Sequence, residues 1–213
     1  MTDRPILFSA PMVKALLAGT KTQTRRVLNP QPPADLGLVG IYAPKLTAVF
    51  GYVTPNADCK VALRYMTGDR LYVREAWKTH AAYDDISPAA MGGDEPILYG
   101  ADGAHQTWGY PAISKIGRFR QGMHMPRWAS RLTLNVLNVR VQRLQEITTV
   151  DALLEGVGVG LADGKVTKPN TRDSFRQLWD GINADRGFGW DVNPWVVAVS
   201  FTVERHNIDQ VAA

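Results

Sequence analysis

The chain has 213 residues, a net charge of +4 and a single cysteine, and these properties exclude several classes of protein. A chain of this length can bury about 70% of its unfolded surface, which is enough for a hydrophobic core that needs no disulfide bonds or bound metal ions for stability. One cysteine excludes an intrachain disulfide and cysteine-rich zinc sites, and no apolar run approaches the roughly 20 residues that cross a bilayer. We therefore expect a cytoplasmic protein that stays outside the membrane.

The first predicted element is a helix over residues 10–18. Ser9 is a residue type that caps helices, Pro11 fits the first turn, and Gly19 can adopt the left-handed conformation that ends a helix. The apolar stripe of this helix consists of Met12, Val13, Leu16 and Leu17. The helix is therefore expected to end directly before a polar run.

That polar run, Gly19 to Arg26, contains a lysine amine, threonine hydroxyls and two guanidinium groups. Lys21 and Thr24 are three residues apart, so a straight strand would direct their side chains to opposite faces. A bend near Thr22 and Gln23 would bring the amine and the hydroxyl together.

Three later segments predict strands because they are rich in Val, Leu and aromatic residues in partial alternation: residues 70–77, 131–144 and 195–204. Segments 29–67 and 79–122 contain many Pro and Gly residues with short β-like pieces. We interpret both segments as insertions in one domain that spans residues 1–213.

Two further helices are predicted. One begins after Thr148, whose hydroxyl forms a variant of the capping box with Asp151, and ends at Gly156. The other covers residues 171–182, and its apolar face consists of Phe175, Leu178, Trp179 and Ile182. Mixed strands with few helices predict the α+β class.

The pattern Gly19-x-Lys21-x-x-Thr24-x-Arg26 resembles the signature of the ASCH family, small proteins with a barrel like that of PUA RNA-binding domains. The family usually has Glu at the position of Thr24. Threonine at this position resembles the subgroup of bacterial ASCH proteins that hydrolyse N4-acetylcytidine with a Lys, a Thr and a Glu. Further segments resemble a longer ASCH branch common in phages and prophages: residues 6–12, 68–77, 124–131 and 193–195.

The resemblance implies a PUA-like β-barrel with flanking helices and the two insertions. It implies that Lys21, Thr24 and Glu75 are the catalytic residues of an amidohydrolase. The implied partner is a modified nucleoside or RNA, in the cytoplasm of a bacterium or of a phage-infected host.

These three residue types can carry out amide hydrolysis, which needs a nucleophile and a group that takes and returns a proton. The Thr24 hydroxyl is a weak nucleophile at neutral pH, so a base must remove its proton. Lys21 can be that base only if burial or a neighbouring cation, Arg25 or Arg26, lowers the pKa of its amine.

Glu75 falls on the apolar side of its predicted strand, together with Leu71 and Val73. A buried carboxylate needs a partner. Glu75 is therefore either the salt-bridge partner of Lys21 or Arg26, or a catalytic acid or base that contacts the substrate.

Arginines and tryptophans near these segments are candidates for substrate binding. Arg26 and Arg127 can contact phosphate, while Trp77 and Trp128 can either stack on a nucleobase or pack in the core. The four histidines lack metal-ligand spacing, so we expect neither a metal nor a cofactor.

Three functions are compatible with this pattern. The first is hydrolysis of an N4-acylated cytosine nucleoside or a related modified base. The second is a non-catalytic PUA-like RNA-binding module in which Lys21 and the arginines contact phosphate. The third is a ribonuclease in which the same cations stabilise phosphate charge.

Overall fold

The computed structural model describes residues 2–42, 46–51, 59–105, 109, 112–158, 161–162, 165–166 and 171–210. Its strands, β1 to β12, are Asp3–Leu7, Gln23–Val27, Gly37–Tyr42, Thr47–Gly51, Cys59–Ala62, Arg70–Arg74, Trp77–Lys78, Leu98–Tyr99, Thr133–Arg143, Leu161–Ala162, Lys165–Val166 and Trp195–Glu204. Its α-helices, α1 to α3, are Ala10–Leu17, Thr149–Leu154 and Thr171–Asn183. Its short 3₁₀ helices are Ala81–Tyr83, Pro88–Ala90, Gly122–His124, Arg127–Ala129, Leu144–Glu146, Ala184–Arg186 and Trp190–Val192.

Several sheets and few helices make this a mixed structure of the α+β kind that the sequence predicts. The described strands do not close into a barrel, so the PUA-like barrel stays a prediction. None of the helices in the described part of the chain is both long and apolar enough to cross a membrane.

The chain forms two compact units. The first unit comprises residues 1–19, 68–135 and 202–213, and the second comprises residues 20–67 and 136–201. The assignment of all 213 residues to one domain with two insertions stays a prediction.

In the first unit, β6 lies between β1 and the beginning of β9. It pairs in parallel with β1, from Asp3↔Arg70 to Leu7↔Arg74, and antiparallel with β9, from Arg70↔Asn135 to Tyr72↔Thr133. The two-stranded sheet β7–β8 belongs to the same unit. A core cluster is formed by Trp77, Met91, Ile97, Tyr99, Met125 and Ala129.

The strand predicted over residues 70–77 is interrupted after Arg74, and Glu75 lies at the interruption. Two glycines make room for the backbone there. A Cβ atom at position 122 would lie 2.9 Å from the carbonyl carbon of Glu75, and one at position 100 would lie 2.7 Å from the carbonyl oxygen of Ala76. Because only glycine permits these approaches, Gly100 and Gly122 help to hold the backbone that carries Glu75.

In the second unit, β12 pairs antiparallel with β2, from Val196↔Val27 to Ser200↔Gln23. The predicted insertion 29–67 contributes the antiparallel sheet β3–β4–β5. Helices α2 and α3 contribute to a core cluster formed by Leu144, Ile147, Ala152, Phe175, Trp179, Trp190 and Val196.

Helix α2 begins as predicted. The amide of Asp151 donates to the Thr148 hydroxyl at 3.1 Å, and the Asp151 carboxylate accepts from the Thr148 amide at 3.3 Å. Gly156, at φ +81°, follows the end of the helix in the left-handed conformation. The capping box and the terminal glycine therefore determine both ends of α2.

The predicted apolar face of α3 is partly wrong. Ile182 is 43% exposed, whereas Asn183 is buried and its side-chain amide donates to the Trp179 carbonyl at 3.2 Å. The buried residues of this helix are four apart: Thr171, Phe175, Trp179 and Asn183. Residues four apart form one row along a helix. This row faces the core, whereas Ile182, seven residues after Phe175, lies outside it.

Candidate active site

Lys21 precedes β2 in the second unit, and its side chain is 0% exposed. Its Nζ donates to the Gln23 carbonyl at 2.9 Å, to the Glu155 carbonyl at 2.9 Å and to the Glu155 Oε2 at 2.7 Å. An ammonium group has three N–H donors, so these contacts match its full donor capacity. The Lys21 amine is thus a buried cation held against the end of α2.

The position of Glu155 follows from the end of that helix. Its amide donates to the Asp151 carbonyl at 3.0 Å, and Gly156 then turns the chain away. The amide of Thr22 donates to the Leu154 carbonyl at 2.8 Å, which places the helix end beside the polar run. As a result, both the carbonyl and the carboxylate of Glu155 reach Lys21.

Sequence reasoning did not identify Glu155. The available signal was an acidic side chain directly before the glycine that ends a predicted helix. Because the Glu155 carboxylate lies 134 residues from Lys21 in the chain, no local pattern joins the two residues.

Arg25 extends the buried network. Its Nη1 donates to the Gln23 Oε1 at 2.6 Å and to the Glu155 Oε1 at 3.1 Å, and its Nη2 lies 3.0 Å from the Asp151 Oδ2. The other Asp151 oxygen accepts from Arg140 at 2.9 Å. The network therefore joins three cations, Lys21 among them, to two carboxylates.

Burial lowers the pKa of the Lys21 amine below its usual value. The Glu155 carboxylate opposes this shift, while the charges of Arg26 and Arg25 add to it. The pKa of the amine is lowered overall, and a lowered pKa is what Lys21 needs in order to act as a base.

Thr24 lies in β2, where it pairs with Val199, and it is 1% exposed. Side chains alternate along a strand, so Thr24 and Arg26 lie on one face of β2 and Gln23 and Arg25 on the other. Arg26 is half-buried, and burial lowers the pKa of its guanidinium group. Of the two arginines predicted to lie near the Lys21 amine, Arg25 therefore belongs to the Glu155 network and Arg26 to the face of Thr24.

Glu75 lies in the first unit and is 1% exposed. Its two carboxylate oxygens accept from the Nε and Nη2 of Arg131 at 2.8 and 3.0 Å. The same guanidinium group also binds Asp102, through two contacts of 3.0 Å, and lies 4.0 Å from the centre of the Tyr99 ring. The structure thus gives Glu75 an ion-pair partner that the sequence analysis did not name.

Burial raises the pKa of Glu75, although the hydrogen bonds and charge of Arg131 oppose the shift. A raised pKa favours the protonated form, which can donate a proton. Lys21 and Thr24 belong to the second unit and Glu75 to the first, and the convergence of these three side chains stays a prediction.

The remaining predicted site residues have different surroundings. Trp77 is 0% exposed within its core cluster. This burial matches the second of its two predicted roles, packing in the core. Trp128 is half-buried, packs against the same cluster and also lines a cleft. Arg127 binds the carboxylates of Asp3 and Asp209, both at 2.6 Å.

No group of three or more His, Cys, Asp or Glu side chains is arranged to hold a metal ion within the ranges that the structure describes. Comparisons with known proteins add no assignment: no family model, curated protein or solved structure matches the chain. The resemblance to the ASCH family therefore stays a prediction from the motif.

Proposed function

We propose that the protein is an amidohydrolase of the PUA-like ASCH type that cleaves an N4-acylated cytosine nucleoside or a related modified base. The burial of Lys21 three residues from the buried Thr24 supports the proposal. Burial and the charges of Arg25 and Arg26 shift the amine toward the neutral form that a base requires.

In the proposed reaction the Thr24 oxygen attacks the acyl carbonyl carbon, and its proton passes to the neutral Lys21 amine. Collapse of the tetrahedral intermediate breaks the C–N bond and releases the exocyclic amine of cytosine, which takes the proton back from Lys21. Water then hydrolyses the acyl ester of Thr24, which releases the carboxylic acid and restores the hydroxyl. Arg26, on the same face of β2 as Thr24, is proposed to stabilise the oxyanion.

The direct test is incubation of the purified protein with N4-acetylcytidine, followed by chromatography for cytidine and acetate. We expect equal amounts of the two products. Folded protein that releases no cytidine from this substrate would contradict the proposal.

The pH dependence of turnover tests the role of Lys21. Because the neutral amine is the base, turnover should rise with pH and level off below the pKa of about 10.4 of a free lysine. Glu155→Gln removes a charge that raises the pKa of Lys21, so the rise should move to lower pH. A rise that is unchanged in Glu155→Gln would exclude Lys21 as the titrating group.

The RNA-binding alternative predicts that Arg127 contacts phosphate, whereas we expect no such contact. This guanidinium group is already bound to two carboxylates, and a phosphate would have to displace them. We therefore expect Arg127→Ala to leave the salt dependence of RNA binding unchanged in a fluorescence anisotropy titration. Arg118→Ala, at an exposed arginine, is the matched control. A decrease of about 0.7 in the log–log slope for Arg127→Ala would show a phosphate contact instead.

A further inference from the structure

The first unit contains a cleft of ≈ 360 Å³ that the sequence analysis did not identify. Its volume lies within the range of about 300–1,000 Å³ of small-molecule sites. Its walls include Tyr99, Trp128, Arg131, His206, Asp209 and Gln210. Arg131, the ion-pair partner of Glu75, is thus part of the wall.

The two walls of the cleft are held together by Asn207. Its side-chain amide donates to the carbonyls of Arg127, Trp128 and Ser130, at 2.9, 3.0 and 2.7 Å. Its Oδ1 accepts from the Asp209 amide at 2.9 Å. Since one side chain ties the turn that carries Trp128 to the C-terminal segment, the cleft is formed before any ligand enters.

Two arginines at the cleft are paired with carboxylates, whereas a third, the exposed Arg205, donates to the Leu17 carbonyl. Arg131 binds both Glu75 and Asp102, and Asp209 binds Arg127 with oxygens at 2.6 to 3.0 Å from the guanidinium nitrogens. A phosphate placed here would face carboxylates that already occupy these arginines. The side of the cleft formed by Arg131 and Asp209 is therefore better suited to an uncharged ligand than to a nucleotide or RNA backbone.

Planar groups line the same cleft. The Trp128 indole is half-buried, and the Arg131 guanidinium group covers the Tyr99 ring. Indole and guanidinium planes are both surfaces on which nucleobases stack. The side chains of Gln210 and His206 add hydrogen-bonding groups for the edge of a ring or for hydroxyl groups.

We propose that this cleft binds a planar, uncharged heteroaromatic compound by stacking on Trp128, and that Asp209 disfavours phosphate-bearing forms of it. The choice of a cytosine nucleoside as that compound rests on the proposed function. A ligand stacked on Trp128 lies beside Arg131, one side chain away from Glu75.

The test is equilibrium binding of cytidine and of cytidine 5′-monophosphate, followed by calorimetry or NMR. We expect saturable binding of cytidine that is at least as tight as that of the monophosphate. Trp128→Leu should weaken cytidine binding at least about fivefold, and Trp128→Phe, which retains a ring, should weaken it less. Phe119→Leu is the matched control, because Phe119 is an exposed aromatic residue outside the cleft.

Asp209→Asn tests the charge argument. Removing this carboxylate leaves Arg127 less neutralised, so binding of the monophosphate should tighten about threefold to tenfold relative to cytidine. Tighter binding of the monophosphate than of cytidine by the unchanged protein would overturn the inference, as would cytidine binding unaffected by Trp128→Leu and Trp128→Phe. Cytidine binding without hydrolysis of N4-acetylcytidine would support the proposal that the cleft binds this ligand and would contradict only the proposed function.

Discussion

Replacing Thr24 with valine is expected to lower turnover of N4-acetylcytidine at least about a thousandfold while the protein stays folded. Valine has nearly the shape of threonine without the hydroxyl, and it is favoured in strands such as β2. The change therefore removes the proposed nucleophile without opening a cavity opposite Val199. Turnover is measured by cytidine release, and folding by urea denaturation of the same preparation.

Thr24→Ser is the matched control for this prediction. Serine keeps the hydroxyl and loses only a methyl group, so it should retain measurable turnover at a modest loss of stability. A valine variant that hydrolyses the substrate at the rate of the unchanged protein would exclude Thr24 as the nucleophile. Equal loss of turnover in both variants would indicate that packing, rather than the hydroxyl, is what matters at this position.

Replacing Glu155 with alanine is expected to lower the free energy of unfolding by about 3–5 kcal/mol. The change removes one carboxylate that serves two buried cations, Lys21 at 2.7 Å and Arg25 at 3.1 Å. Removal of one partner of a buried ion pair leaves a charge without compensation, which costs far more than the loss of a surface pair. Urea denaturation followed by circular dichroism gives the measurement.

Two variants make this measurement specific. Asp191→Ala breaks an exposed pair with Arg176, so it should cost less than about 1 kcal/mol. The double change Lys21→Met with Glu155→Leu should be more stable than Glu155→Ala, because it removes the buried Lys21 charge together with its partner. A loss below about 1 kcal/mol in Glu155→Ala would show that this ion pair contributes little to folding.

Local sequence signals were sufficient for several elements. Gly19 ends α1 with φ +72°, Thr148 and Asp151 cap α2, and the strand predicted over residues 195–204 is β12. Each of these signals acts within a few residues, through a backbone conformation, a capping hydrogen bond or the alternation of side chains. The burial of Ile182 was mispredicted because helical periodicity gives an apolar stripe but not the row that faces the core.

The candidate site divides in the same way. The sequence by itself determined which reactive groups are present and that Lys21, Thr24 and the arginines lie in one short run. Only the tertiary structure decided their partners: Glu155 binds Lys21 across 134 residues, and Arg131 binds Glu75 across 56. Ion pairs depend on distance in space, and burial sets the pKa of Lys21 and of Glu75, so neither property follows from spacing along the chain.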